Sequence, residues 1–169
     1  RFSDENIYKK NLPLNSSCKS LYSLTEKIRV ELLGGKMLKG IQKNLEENYY
    51  RVINLKKKDK LESKDDVSIN EAFELYMLKN FHDIKLNSLA KKMLSYWEKD
   101  FDISINKHIN FLKENLENQN KYSSKFTEIF KEMDIFQNEE NNESKEENQD
   151  NEQNNPFNDD KDTENEDNK

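Results

Sequence analysis

The sequence predicts an all-α protein, an irregular bundle of five or six helices followed by a disordered acidic C-terminal segment. Three observations lead there. Large apolar residues recur at helical spacing from Leu21 to Met133. No stretch alternates apolar and polar residues with period two, and β-hairpin turn dipeptides are absent. Beyond residue 138 the composition changes: residues 139–169 hold 13 acidic and 3 basic residues, and Phe157 is their one large apolar side chain. The chain totals are 28 basic and 34 acidic residues, so subtraction leaves 25 basic and 21 acidic residues over 1–138. A mildly basic body therefore precedes a strongly acidic tail. The tail lacks the apolar surface to offset an ordering cost of roughly 1–2 kcal/mol per residue. The expected organisation is a helical domain over 1–138 and a disordered acidic linker over 139–169.

Each element has a local reason. "NLPLNSS" (11–17) is a Pro-centred turn ending in cap-type residues. From Lys19 the pattern is helical, with Leu21, Leu24, Ile28 and Leu32 on one stripe. After Gly34–Gly35, the residues Met37, Ile41 and Leu45 recur every four positions, with Tyr49 next. The charged, aperiodic run "NLKKKDKLESKDDV" (54–67) reads as a loop. Ser68 and Glu71 have capping-box spacing and predict a helix over 69–80. Residues 82–86 are a break. Leu89, Met93, Leu94, Tyr96 and Trp97 predict a helix over 87–99. Ile105, Ile109, Leu112 and Leu116 form the next stripe, and Phe126, Ile129, Phe130 and Met133 the last. Connections this short favour two consecutive antiparallel pairs. About twenty large apolar side chains, at ~1.5–3 kcal/mol each when fully buried, suit a small bundle.

Several function classes are excluded. No apolar run approaches the ~20 residues of a membrane span, and no signal peptide is expected. One cysteine, Cys18, builds no disulfide framework or Cys-rich metal site and fits a reducing, cytoplasmic setting. The chain starts at Arg1 and ends within low complexity, so both ends are expected to be cuts in a longer protein. "GGKM" is not a phosphate loop: Val30 stands at the first glycine position and Met37 at the hydroxyl position. "DISIN" spaces Asp102, Ser104 and Asn106 somewhat like a metal-binding Asp-x-Ser-x-Ser loop, but no buried strand precedes it. A helix cap is the better reading. His82 is expected in a loop and His108 on a helix surface. Neither has metal-ligand spacing, and Cys18 has no nearby His and Asp arrangement. Lys56, Lys57, Lys58 and Lys60 lack interleaved aromatics and are diluted by acids, so nucleic acid is not an expected partner. Trp97 is expected in the core.

All three glycines of the chain, Gly34, Gly35 and Gly40, fall within seven residues. Gly34–Gly35 are expected to end or kink a helix, where glycine supplies positive φ. Gly40 is expected on a packed face, where a missing side chain admits another backbone, of this chain or of a partner.

"LTEKIRVELLGGKMLKGIQKNL" resembles the N-terminal region of the CobT subunit of aerobic cobaltochelatase. That family carries a segment of the form A-R-V-E-x-x-G-x-x-x-M-x-G-V-x-x-N-L. Arg29, Val30, Glu31, Gly34, Gly40, Asn44 and Leu45 match it. Met37 lies one place from the family's Met, and Ile41 stands for its Val. Glu71–Ala72, Leu94 and Trp97 extend the similarity, which covers about residues 6–138 and, by composition, the acidic segment. A second family Trp is replaced at or near Asp100, and Lys and Asn stand for many Ala and Arg. The resemblance implies a subunit acting with a ring-forming AAA+ ATPase, CobS, and with the large porphyrin-binding subunit, in a hetero-oligomer without nucleic acid or membrane. ATP hydrolysis would drive Co²⁺ insertion into the corrin ring in cobalamin synthesis. ATP, Mg²⁺ and Co²⁺ would belong to the whole complex, and this fragment would bind no cofactor and carry no catalytic residue. It would be a docking or scaffold module ahead of an acidic linker and a von Willebrand A domain. Arg29, Glu31, Gly34, Gly40, Asn44, Leu45 and Trp97 would serve helix packing or docking. Two other roles share this architecture: an adaptor for another client protein, and a non-enzymatic helical interaction protein.

Overall fold

The computed structural model describes residues 2–133, and within them every regular element is helical. The domain boundary after residue 138 and the disordered acidic segment predicted from 139 lie outside the described residues. Eight α-helices follow one another: α1 (Glu5–Asn11), α2 (Ser16–Met37), α3 (Lys39–Leu55), α4 (Ile69–Phe81), α5 (Ser88–Ser95), α6 (Glu98–Ile105), α7 (Ile109–Glu114) and α8 (Gln119–Glu132). Single 3-10 turns occupy Lys64–Asp66 and Asn106–His108.

The all-α bundle is the one predicted, with more helices because continuous apolar stripes cross backbone breaks. The expected helix over 87–99 is divided at Tyr96 and Trp97 into α5 and α6. There the Trp97 indole N–H donates to the Val67 carbonyl (3.0 Å), which anchors the break to the loop before α4. The Ile105–Leu116 stripe is interrupted by the 3-10 turn, so α7 begins only at Ile109. Helix α1 has no buried residue and no apolar stripe that could have announced it, but Asp4 caps it by accepting from the Asn6 and Ile7 N–H groups.

Helix α2 starts three residues earlier than its stripe suggests. The Asn15 side chain caps it, accepting from the Ser17 and Cys18 N–H groups. Its other end corrects an expectation. The helix runs through Gly34 and Gly35 to Met37, and no glycine has positive φ. The chain turns instead at Leu38, whose extended backbone (φ −134°, ψ 105°) separates α2 from α3.

Helices α2 and α3 run antiparallel: Gly34 faces Ile41, Gly35 faces Gln42, and Glu31 faces Tyr49. The inward residues of α3 are Tyr49 and Ile53. The expected stripe is not its core face, since Met37 is 68% and Ile41 40% exposed. A repeat of four residues drifts around a helix of 3.6 residues per turn, so the row starts in solvent at Ile41 and reaches the interface only at Tyr49.

Helix α4 lies at the centre, with Ala72, Phe73, Leu75, Tyr76, Met77, Leu78 and Phe81 all buried. Its capping box forms as the sequence predicts, Ser68 and Glu71 bonding reciprocally. Helix α4 packs against α2, α5 and α6, while α8 closes the bundle against α1, α2 and α6. Phe73 meets Phe101 of α6 and Phe130 of α8 edge-on, at 5.5 and 5.8 Å between ring centres. This arrangement leaves the α2–α3 hairpin and the end of α4 to build a polar site on one flank.

Candidate functional site: a buried ion pair and an acid–imidazole cleft

The family-like residues of α2 and α3 separate into three settings. Arg29 is fully buried. One turn away, Glu26 accepts from its Nε at 3.2 and 3.1 Å and from its Nη2 at 2.7 Å. The remaining donors reach across the fold: Nη1 donates to the Leu116 carbonyl at 2.8 Å, and Nη2 also donates to the Phe2 carbonyl. Glu26 additionally accepts from the Ser3 hydroxyl at 2.9 Å. One guanidinium thus ties together α2, the segment before α1 and the turn before α8. Arginine suits this position because its planar fork satisfies a carboxylate and two carbonyls at once.

Glu31, two residues on, occupies the opposite setting. Its carboxylate lies under a cleft of ≈ 200 Å³ whose lining includes Leu32, Gly35, Gln42, Leu45, His82 and Asp83. The Tyr49 hydroxyl donates to it at 2.6 Å and the His82 Nε2–H at 3.1 Å. The His82 ring lies against Tyr49, 5.4 Å between centres. His82 is therefore not a free loop residue: it caps the end of α4, with its side chain only 7% exposed. Asp83 turns the chain with φ 54°, a left-handed conformation that Asp tolerates better than most residues. That turn brings the Ile84 N–H back to the Leu78 carbonyl at 3.1 Å.

Burial of Glu31 favours its neutral form, but hydrogen bonds from His82 and Tyr49 and the nearby Lys27 outweigh it and hold the carboxyl below its ordinary 4.5. Burial, and then the Glu31 carboxylate, push the Tyr49 phenol well above its ordinary 10.0. A carboxyl depressed in the folded state contributes stability that is complete above its ordinary value and is lost as pH falls through the lower folded value. Glu31→Gln is expected to flatten the stability profile below about pH 4.5 and leave its slope above pH 6 unchanged. Urea midpoints measured from pH 3 to 7 check this, and identical acid limbs in the two proteins would refute it.

The third setting is solvent. Gly40 and Asn44 are exposed, and a Cβ built on Gly40 meets nothing within 4 Å. Gly40 is thus not a packing glycine among the described residues. Gly35 is: its Cβ would lie 3.2 Å from the Gln42 Cβ and 3.6 Å from the Gln42 Cα. The half-buried Leu45 lines the cleft. Trp97 lies far along the sequence in the α5–α6 break, half-buried, with the Lys64 ammonium 4.3 Å from its ring centre.

Geometry brings together Glu31 and Leu45 and adds Gly35, Tyr49 and His82, which were not among the residues expected to serve packing or docking. Spacing could have signalled Glu26, three residues before Arg29 on one helix face. Nothing local signals His82. The Glu31 carboxylate gives the cleft hydrogen-bond acceptors, but no Ser, Thr or Cys lines it. Among the described residues no group of three or more His, Cys, Asp or Glu side chains is placed to hold a metal ion. No helix among them is long and apolar enough to cross a membrane.

Fold and site together define a small all-α bundle protein organised by a buried arginine–glutamate hub, with an acid–imidazole cleft on its α2–α3 hairpin. The family model described as cobalamin biosynthesis protein CobT matches residues 1–169, and the chain belongs to that family. It is thereby a protein of cobalamin biosynthesis. No curated protein and no solved structure matches the chain.

Proposed function

We propose that the chain is part of a subunit of the ATP-dependent cobaltochelatase, working with the AAA+ ATPase subunit CobS and the large chelatase subunit to insert Co²⁺ into the corrin ring. The family match along residues 1–169 carries this reading. In it, residues 1–138 are the helical docking or scaffold module and 139–169 the acidic linker. ATP and Mg²⁺ serve the ATPase partner, and Co²⁺ is the substrate ion. The nitrogen–metal ligase activity belongs to the assembled complex, in the cytoplasm. Arg29 and Glu31 fit a scaffold role because they tie α2 to distant parts of the fold. Gly40 and Asn44 are the matched residues that face solvent and are left for a partner.

Two measurements test the proposal. The chain should co-purify with the AAA+ ATPase, and the full-length subunit should stimulate cobalt insertion when combined with that ATPase and the large subunit. ATPase binding without stimulation would point to a different client. Failure of both would overturn the proposal.

A further inference from the structure

Helix α3 has a second apolar row besides its core face. Tyr49 and Ile53 point inward, but Ile41, Leu45, Asn48, Val52 and Leu55 follow one another at intervals of four, three, four and three residues. This is the a/d spacing of a coiled coil. Leu38, at the N-cap, lies three residues before Ile41 and continues the row. At 100° per residue the row lies about a quarter turn from the core face. Its side chains are open to solvent: Leu38 is 58%, Ile41 40%, Val52 38% and Leu55 70% exposed. Asn48 is exposed, and Leu45 is shared with the cleft.

We propose that this row is a self-association surface, on which α3 pairs in parallel with α3 of a second copy of the chain. Two features favour a second copy over a different helix. In a parallel, in-register pair Asn48 faces its own counterpart, so the two side-chain amides can hydrogen-bond each other, whereas a slipped register would bury each against an apolar side chain. The positions flanking the row within the helix are Gln42, Asn44, Tyr49 and Arg51, of which only Arg51 is charged. A heterologous partner would be chosen by opposite charge at these positions, whereas neutral flanks let two identical helices approach. The contact also sets the strength. From Leu38 to Leu55 the row is about 25 Å long, and over a helix width of ~10 Å it covers a few hundred Å² per copy. That is less than the ~800 Å² per partner of a stable complex. The pair is therefore a reversible, concentration-dependent dimer, whatever enzyme complex the chain serves.

Sedimentation equilibrium of residues 1–169 from about 10 μM to about 1 mM tests this. The expected mass rises from 20.2 kDa toward twice that value. Val52→Glu and Leu55→Glu should each weaken association at least tenfold with unchanged helical circular dichroism. Leu55→Glu, at the more exposed site, carries the test alone if Val52→Glu unfolds. Asn48→Cys should form an intermolecular disulfide under oxidation, because parallel pairing places position 48 against itself. A mass of 20.2 kDa throughout the range would overturn the proposal. So would self-association unaffected by both glutamate variants. If the protein is monomeric and Leu55→Glu instead loses the AAA+ ATPase, the row belongs to that partner and self-association is refuted.

Discussion

Arg29→Ala is expected to cost about 3–5 kcal/mol, the range for removing one partner of a buried ion pair. The loss has two parts. The Glu26 carboxylate, itself buried, would keep only the Ser3 hydroxyl at 2.9 Å as a side-chain donor. The Phe2 and Leu116 carbonyls would lose the guanidinium donors that join them to α2. Each such unsatisfied buried group costs about 1–3 kcal/mol. Small domains have net stabilities of only about 5–15 kcal/mol, so the variant is expected at the edge of folding at 37 °C. Arg29→Lys should recover only part of the loss, because an ammonium cannot reproduce the bidentate fork. Arg29→Met combined with Glu26→Leu should be less damaging than Arg29→Ala, since it removes the stranded charge. Urea unfolding followed by circular dichroism gives all three costs. A cost below about 1 kcal/mol for Arg29→Ala would show that the hub does not hold the fold together.

Gly35→Leu is expected to destabilise by about 2 kcal/mol, within the range for overpacking a tight contact. The first added atom already comes within 3.2 Å of the Gln42 Cβ, and the next neighbour is the Gln42 Cα itself. Relief therefore requires α3 to move as a body, which would also pull Tyr49 from Glu31. Gly40→Ala should behave oppositely. Its site is open and its backbone helical without positive φ. Alanine there should leave stability unchanged or raise it by up to ~1 kcal/mol through lower unfolded-state entropy and better helix propensity. Gly40→Leu should fold as well as the parent, so any damage from it would report a partner's contact. Thermal melts of the three variants decide the order. If Gly40→Leu proves more disruptive than Gly35→Leu in the isolated chain, the packing of this hairpin is misassigned.

Much of the architecture was readable from local chemistry. Helical periodicity is a property of neighbours three and four apart; it identified α4 closely, and α2 and the second half of α8 in outline. The Ser68–Glu71 box is likewise complete within four residues, and it formed where expected. Element ends and breaks were less legible. The Trp97 break depends on the Val67 carbonyl thirty residues away. The short α1 is capped by Asp4 but rests on α8 at the far end of the sequence.

The candidate site divides along the same line. The sequence alone determined the helical class, the capped helix over 69–80 and the family resemblance, and it singled out the Arg29–Leu45 segment. Only the tertiary structure decided what those residues do. It sent Arg29 inward to a carbonyl 87 positions away and set Glu31 against His82 from the end of α4. It made Gly35 rather than Gly40 the glycine of close approach, and turned the Ile41–Leu55 row outward. The physical reason is range. Periodicity and capping act within one or two turns, whereas burial, the partner of a charged group and the space left for a side chain depend on how distant helices come into register.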